Sequence, residues 1–269
     1  MRLFDLQGEV AVVIGGTGVL GGAISEGLAA AGARVAILGR NQERGEARAQ
    51  CLRARGGTMS LFFPVDVLQP ASLKRANEAI QTQLGTPSIL VNAAGGNDPK
   101  VTVTKEHPFE RITLADWRAN FDLNLVGGVL LPCQEFGPDF AARGRGSIIN
   151  IASVSAHLPL SRVVAYSAAK AAVLNLTRFL AREWAQKGVR VNSITPGFFP
   201  GEQNRRLLFN EDGTPTPRAQ TILGHTPMAR MGEPHELAGA VLFLASAKAS
   251  GFVTGIDIPV DGGFLAQTI

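Results

Sequence analysis

Residues 10–22 read Val10-Ala11-Val12-Val13-Ile14-Gly15-Gly16-Thr17-Gly18-Val19-Leu20-Gly21-Gly22, and an alanine-bearing stretch follows to Ala31. Five consecutive apolar residues, mostly branched and closed by glycine, have the character of a buried strand. The glycines after them permit positive φ and let another group approach the backbone closely. The N–H groups that open a helix have no partners within it, so a strand passing through this turn into a helix predicts a seat for a pyrophosphate. Gly15, Gly18 and Gly21 stand at GxxGxxG spacing, with Thr17, Val19 and Leu20 completing the turn.

The same alternation continues along the chain. Short apolar runs recur at 34–38, 59–65, 88–92, 147–151, 189–194 and 256–260, each bounded by Gly, Asn, Asp or Pro. Stretches of helical period lie between them, at 20–32, 41–55, 70–84, 114–142, 164–187 and 233–247. Strand alternating with helix predicts an α/β fold of the Rossmann type: a doubly wound, mostly parallel sheet of seven strands with helices on both faces. No linker, repeat or low-complexity tract divides the chain, so residues 1–269 read as a single domain. Two segments break the rhythm, 96–113 and 197–232, and irregular inserts of this length commonly cover a site.

Composition narrows the function classes. The chain carries 26 Lys and Arg against 22 Asp and Glu, a formal net charge of +4. Those cations are scattered along the chain and are not interleaved with aromatic residues, which disfavours nucleic-acid binding. Cys51 and Cys133 are far apart in sequence, and the four histidines show no ligand spacing, so neither a disulfide framework nor a metal site is expected. The apolar run Val10 to Ile14 is too short for a membrane span or a signal-peptide core, and a cytoplasmic protein is the expectation.

The ends of the next strands bear on the ligand. A dinucleotide site that selects the unphosphorylated ribose places an acid at the end of the second strand. This chain has Gly39-Arg40-Asn41 there, with no carboxylate to repel a 2′-phosphate and an arginine able to pair with one. NADP(H) is therefore the preferred cofactor, with NAD(H) use left open. Asp66 and Val67 follow the third strand as adenine contacts, and Asn92-Ala93-Ala94-Gly95 closes the fourth beside the adenosine.

Tyr166 is the single tyrosine, and it stands four residues before Lys170 in Ala165-Tyr166-Ser167-Ala168-Ala169-Lys170. On a helix these two positions share a face, so the ammonium can approach the phenol. An ordinary phenol titrates near ~10, and a neighbouring positive charge favours its ionised form, pulling that value down.

Taken together, these residues resemble the short-chain dehydrogenase/reductase family along essentially the whole chain. The resemblance rests on the turn at 15–21, Asn92-Ala93-Ala94-Gly95, Asn124, Ser153, Tyr166 with Lys170, and Pro196-Gly197. Ile14 and Val19 depart from the TGxxxGxG form usual in single-domain members, and GxxGxxG is similar to the spacing of longer, two-domain ones. The resemblance implies hydride transfer between nicotinamide and a secondary alcohol or ketone. It gives Tyr166 the role of acid and base, and Ser153 that of holding the substrate oxygen, with Ser155 a less favoured alternate. Lys170 would hold the nicotinamide ribose and lower the Tyr166 pKa, and Asn124 would fix a water leading from Lys170 to solvent. Pro196 and Gly197 would contact the carboxamide.

The stretches Asn92 to Asn97, Pro196-Gly197-Phe198-Phe199 with Gln203-Asn204-Arg205, and Ile222 to Met228 resemble a D-mannonate oxidoreductase subgroup of that family. A sugar acid needs a cation for its carboxylate and polar partners for its hydroxyls. Asn97, Ser153, His157, Tyr166, Phe198, Gln203, Asn204 and Arg205 are the expected substrate residues. A gluconate-type or oxoacyl reductase is the rival within the class, and a redox sensor that holds dinucleotide without turnover is the rival outside it. The family resemblance further implies a homo-oligomer, most often a tetramer, built on the helices at 114–142 and 164–187 and the last strand.

Overall fold

The structure is a computed structural model, and it describes residues 3–55, 58–201 and 205–268, the side chain of Arg206 excepted. Seven strands form one sheet: β1 (Val10–Ile14), β2 (Arg34–Gly39), β3 (Ser60–Pro64), β4 (Ile89–Asn92), β5 (Gly146–Ile151), β6 (Val189–Pro196) and β7 (Asp257–Val260). Their order is β3-β2-β1-β4-β5-β6-β7, and every neighbouring pair is parallel. Chain order reverses between β1 and β4, so a crevice opens at the carboxyl ends of those two strands, where ligands bind in folds of this kind.

The apolar runs are continuous because the strands are covered on both faces. Along β1 the side chains alternate: Val10, Val12 and Ile14 enter one core, Ala11 and Val13 the other. On the first face lie α3 (Pro70–Gln83), α5 (Leu131–Ala142) and α6 (Val164–Trp184), through residues such as Leu73, Phe136 and Val173. The second face is covered by α1 (Val19–Ala30), α2 (Gln42–Ala54) and α9 (Ala238–Ala245), through Ile24, Leu52 and Val241.

The expected helix at 114–142 is not uniform. It begins as α4 (Leu114–Phe121), widens into a π-helical segment from Asp122 to Leu130, and returns to α-helix at α5. Two features account for the widening. The Asn124 side chain donates to the Asn120 carbonyl at 2.8 Å, occupying the acceptor that an α-helix would offer to the Asn124 N–H. Pro132 then has no N–H to give to Gly128.

The insert at 197–232 also carries more structure than its sequence suggests. It holds α7 (Arg205–Leu208) and α8 (Pro217–His225), joined by a bridge between Phe209 and Pro215. Thr216 caps α8 by accepting from Ala219, and Pro217 supplies the first helical residue. Leu208, Ala219 and Ile222 bury themselves against Phe198, Phe209 and Met231 as a small separate core. The short α10 (Ala247–Ser250) follows α9 and leads to the last strand.

Candidate active site

The glycine turn is built as close approach demands. Gly15 has φ +77, and a Cβ there would lie 2.7 Å from the Ala94 nitrogen, so the end of β1 presses against Ala93 and Ala94 beyond β4. A Cβ on Gly21 would run into the Gly15 carbonyl. Gly18 caps α1 without any side-chain bond, and no acid stands in the first turn. The N–H groups of the following residues, Val19 and Leu20 among them, thus open toward the crevice, the arrangement that holds a pyrophosphate. Thr17 packs over Gly39 at the end of β2. These residues fit a dinucleotide.

Around the adenosine end the expected residues separate. Arg40 is exposed and has no hydrogen-bond or ion-pair partner among the described residues, leaving its guanidinium available. Asn41 spends its side chain capping α2, accepting from Arg44 at 2.8 Å. Asp66 is exposed and its carboxylate accepts from the Leu68 N–H at 3.1 Å, while Val67 is buried against Gly127 of the π segment. Asn92 corrects the expectation that it borders the ligand. The pleat turns its side chain into the α5–α6 face, where it donates to Asn150 at 2.8 Å and contacts the Cys133 sulfur at 3.4 Å. Cys133 is fully enclosed there, and burial pushes its thiol up to about 12. Gly197 gives its N–H to the Val260 carbonyl at 3.0 Å, which fixes the Pro196-Gly197 corner against β7.

At the carboxyl end of β5 the expected catalytic side chains do meet. Ser153 caps a short turn, Val154–Ala156, and its oxygen accepts both the Ser155 N–H at 3.2 Å and the Ser155 hydroxyl at 3.1 Å. Ser155 is thus the buried support and Ser153 the half-buried hydroxyl beside it. Tyr166, in the first turn of α6, is half-buried beside it. Lys170 lies one turn on, with its Nζ 5.6 Å from the Tyr166 ring centre and donating to the Ile151 carbonyl at 2.8 Å. Burial pulls the lysine down to about 8. Burial also raises the phenol, with the Ser153 hydrogen bond opposing it, so the depressed Tyr166 pKa expected from the lysine is not what this arrangement produces. Desolvation of the phenolate is the larger of the two causes.

Asn124 is fully buried, and its amide clamps the backbone of Gly96, accepting from the N–H at 2.9 Å and donating to the carbonyl at 2.8 Å. Gly95 sits between this clamp and Lys170 with φ +148, and a Cβ there would lie 2.5 Å from the Asn124 oxygen and 3.4 Å from the lysine nitrogen. Asn120, unsuspected from sequence, is buried and donates to the same Gly96 carbonyl at 3.1 Å. Its spacing of four residues from Asn124 was the available signal.

The substrate residues are less united. Asn97 donates to the Thr102 hydroxyl at 2.6 Å within its own insert. His157 has its Nε2 3.2 Å from both the Thr195 hydroxyl and an Asp257 carboxylate oxygen, which ties the ring to β6 and β7. Phe198 stacks at a tilt on Phe264, ring centres 5.2 Å apart. Arg205 lays its guanidinium over Phe209 at 5.6 Å. Gln203 and Asn204 lie outside the described residues.

A crevice at the strand switch, floored by glycine and opened by a helix amino terminus, with a hydroxyl, a phenol and an amine on its far side, defines a dinucleotide-dependent oxidoreductase. Comparison with known proteins agrees. A family described as "Enoyl-(Acyl carrier protein) reductase" matches residues 17–265. The uncharacterized oxidoreductase UxuB of Bacillus subtilis is 43% identical, covering 98% of this chain and 97% of its own. Among solved structures, a candidate D-mannonate oxidoreductase from Haemophilus influenzae with bound NAD superposes with a TM-score of 0.92 at 38% identity, over 98% of this chain and 97% of that one. A gluconate 5-dehydrogenase from Burkholderia cenocepacia in complex with NADP and tartrate gives 0.88 at 33% identity, over 99% of each chain. The chain belongs to the short-chain dehydrogenase/reductase family, and it is an NAD(P)-dependent oxidoreductase acting on an alcohol group.

Proposed function

We propose that this enzyme interconverts a keto sugar acid and its hydroxy acid, of the fructuronate and mannonate type, with NADP(H) preferred over NAD(H). The observation that carries the chemistry is the meeting of Ser153, Tyr166 and Lys170 at the end of β5. A bound nicotinamide dinucleotide supplies the hydride in reduction and accepts it in oxidation. Ser153 hydrogen-bonds the substrate oxygen and orients it. Tyr166 gives that oxygen a proton in reduction and removes it in oxidation. A phenol whose pKa burial raises keeps its proton at neutral pH, which suits the reductive direction. Lys170 holds the nicotinamide ribose and, while charged, favours the phenolate left after proton transfer. Asn124 acts through the backbone of Gly96 and keeps the Gly95 corner open beside Lys170.

The sugar-acid reading draws support from the likeness to the Haemophilus influenzae and Burkholderia cenocepacia structures. The cofactor preference rests on Arg40, exposed and unpaired where an acid would disfavour a 2′-phosphate. A homotetramer in the cytoplasm completes the proposal: Phe179 on α6 is 55% exposed, and Cys51 and Cys133 are free thiols. Purified enzyme supplied with fructuronate, a ketogluconate and an acetoacetyl thioester, each with both cofactors, separates the alternatives. Fructuronate reduction is expected to be fastest, and activity on the thioester alone would remove the sugar-acid reading.

A further inference from the structure

Ser153 opens a short turn whose other end is anchored far away in sequence. It caps Val154–Ala156 at the start, and His157 closes the turn by giving its N–H to the Val154 carbonyl at 3.1 Å. Within the turn the Ala156 N–H bonds the Ser153 carbonyl at 2.9 Å. These bonds set the shape of the turn, and they leave its place over the sheet to other contacts. The His157 ring supplies such a contact: Nε2 lies 3.2 Å from Thr195 Oγ1 on β6 and 3.2 Å from Asp257 Oδ2 on β7.

Asp257 is itself held firmly. Its carboxylate is 11% exposed, and a charge so shielded costs free energy unless its oxygens are bonded. Oδ1 accepts the Ser193 hydroxyl at 2.6 Å, across a register pair that joins β6 to β7. Oδ2 is left for His157, and an imidazole with its proton on Nε2 is the donor that suits it. Thr195 stands one residue before the Pro196-Gly197 corner, and the Gly197 N–H is fixed to the Val260 carbonyl at 3.0 Å. One ring thus spans the serine turn and the two strands that carry the carboxamide corner.

We infer that His157, held by Asp257, is a positioning residue for hydride transfer: it fixes the Ser153 turn relative to the Pro196-Gly197 corner. The inference rests on the roles proposed above for Ser153, Tyr166 and that corner, and it is independent of which ketone is reduced. Ser153 orients the substrate oxygen, and the corner receives the nicotinamide amide. A shift between the two lengthens the path of the hydride while each ligand keeps its own contacts, so the loss falls on the chemical step. A direct contact between His157 and substrate has a different signature, a raised KM with kcat unchanged.

The test uses His157→Leu, His157→Gln, whose amide nitrogen can donate as Nε2 does, and Asp257→Asn, which keeps the packing should His157→Leu not fold. With fructuronate and NADPH, kcat is expected to fall roughly 10- to 100-fold in His157→Leu and about tenfold in Asp257→Asn, with KM nearly unchanged. His157→Gln should recover most of it, and the primary isotope effect from deuterated NADPH should rise in the two impaired variants. A raised KM with kcat intact, or a His157→Gln as slow as His157→Leu, overturns the inference and leaves the sugar-acid activity standing. Should the wild type reduce no sugar acid, that reading fails by itself, and Tyr166 decides the positioning without substrate. As the single tyrosine, isotopically labelled at Cζ, it gives one magnetic resonance signal, sensitive to its hydrogen bond with Ser153. His157→Leu and Asp257→Asn should move that signal in the direction that Ser153→Ala moves it, and His157→Gln should restore it. A signal that neither His157→Leu nor Asp257→Asn moves overturns the inference.

Discussion

Tyr166 and Lys170 are drawn toward neutrality by the same cause. Burial raises the phenol and lowers the ammonium to about 8, so the protonated phenol and the charged lysine coexist only below that value. Reduction needs both, and the sign follows: kcat/KM for ketone reduction is expected to hold below about pH 8 and to fall above it as Lys170 loses its proton. A pH profile extending to pH 10 checks this, and a profile still rising through that range would contradict it. Arg40 carries a second expectation. Arg40→Ser should lower the kcat/KM ratio of NADPH to NADPH-free NADH reactions by roughly tenfold or more, since a charge-assisted bond to a 2′-phosphate is lost. The pairing of Tyr166 with Lys170 was legible from helical spacing, whereas the direction of the Tyr166 shift was not. Spacing reports which groups are neighbours along a helix, but desolvation depends on Ile151, Ser153 and the strands packed around them.

Between Leu114 and Ala142 the outcome is decided by the Asn124 amide together with Pro132. Asn124 takes the Asn120 carbonyl from the helical ladder and uses the rest of its side chain on Gly96, so the π segment and the loop after β4 are fixed together. Asn124→Ala leaves three backbone groups without these partners and should cost about 1–2 kcal/mol of stability, read from urea unfolding, along with most of the activity. Asn124→Asp, which can still accept from Gly96 but cannot donate, should fall between the two. Gly95→Ala sets a Cβ 2.5 Å from the Asn124 oxygen and is expected to lower kcat about 100-fold while dinucleotide binding changes less. The periodicity of 114–142 gave its helical character. It could not show that a side chain would displace the ladder, because that bond exists only once Gly96 has arrived. Asn92 was misplaced for a related reason: strand-end residues point alternately to the crevice and to the core, and only the observed register settles which.

Across the molecule the legible part was the architecture. Seven apolar runs became seven strands, nearly at the expected bounds, and those in the middle of the sheet, such as β1 and β6, are buried on both faces and leave no room for an alternating pattern. The inserts were harder to read. The segment 197–232 folds on its own small core of Leu208, Ala219 and Ile222, a set too sparse for periodicity to reveal. At this scale the tetramer is testable. Phe179 is exposed on α6, and Phe179→Glu should shift the sedimenting species from tetramer toward smaller forms, whereas a wild-type monomer would remove that part of the proposal.

The most direct test of the whole account is a stopped assay of fructuronate and reduced dinucleotide with wild type and Tyr166→Phe, the latter first shown to bind the dinucleotide. Loss of ketone should match oxidation of the dinucleotide one for one in wild type and slow by roughly 100-fold or more in the variant. Full activity in Tyr166→Phe, or a wild type that consumes no sugar acid, would contradict it.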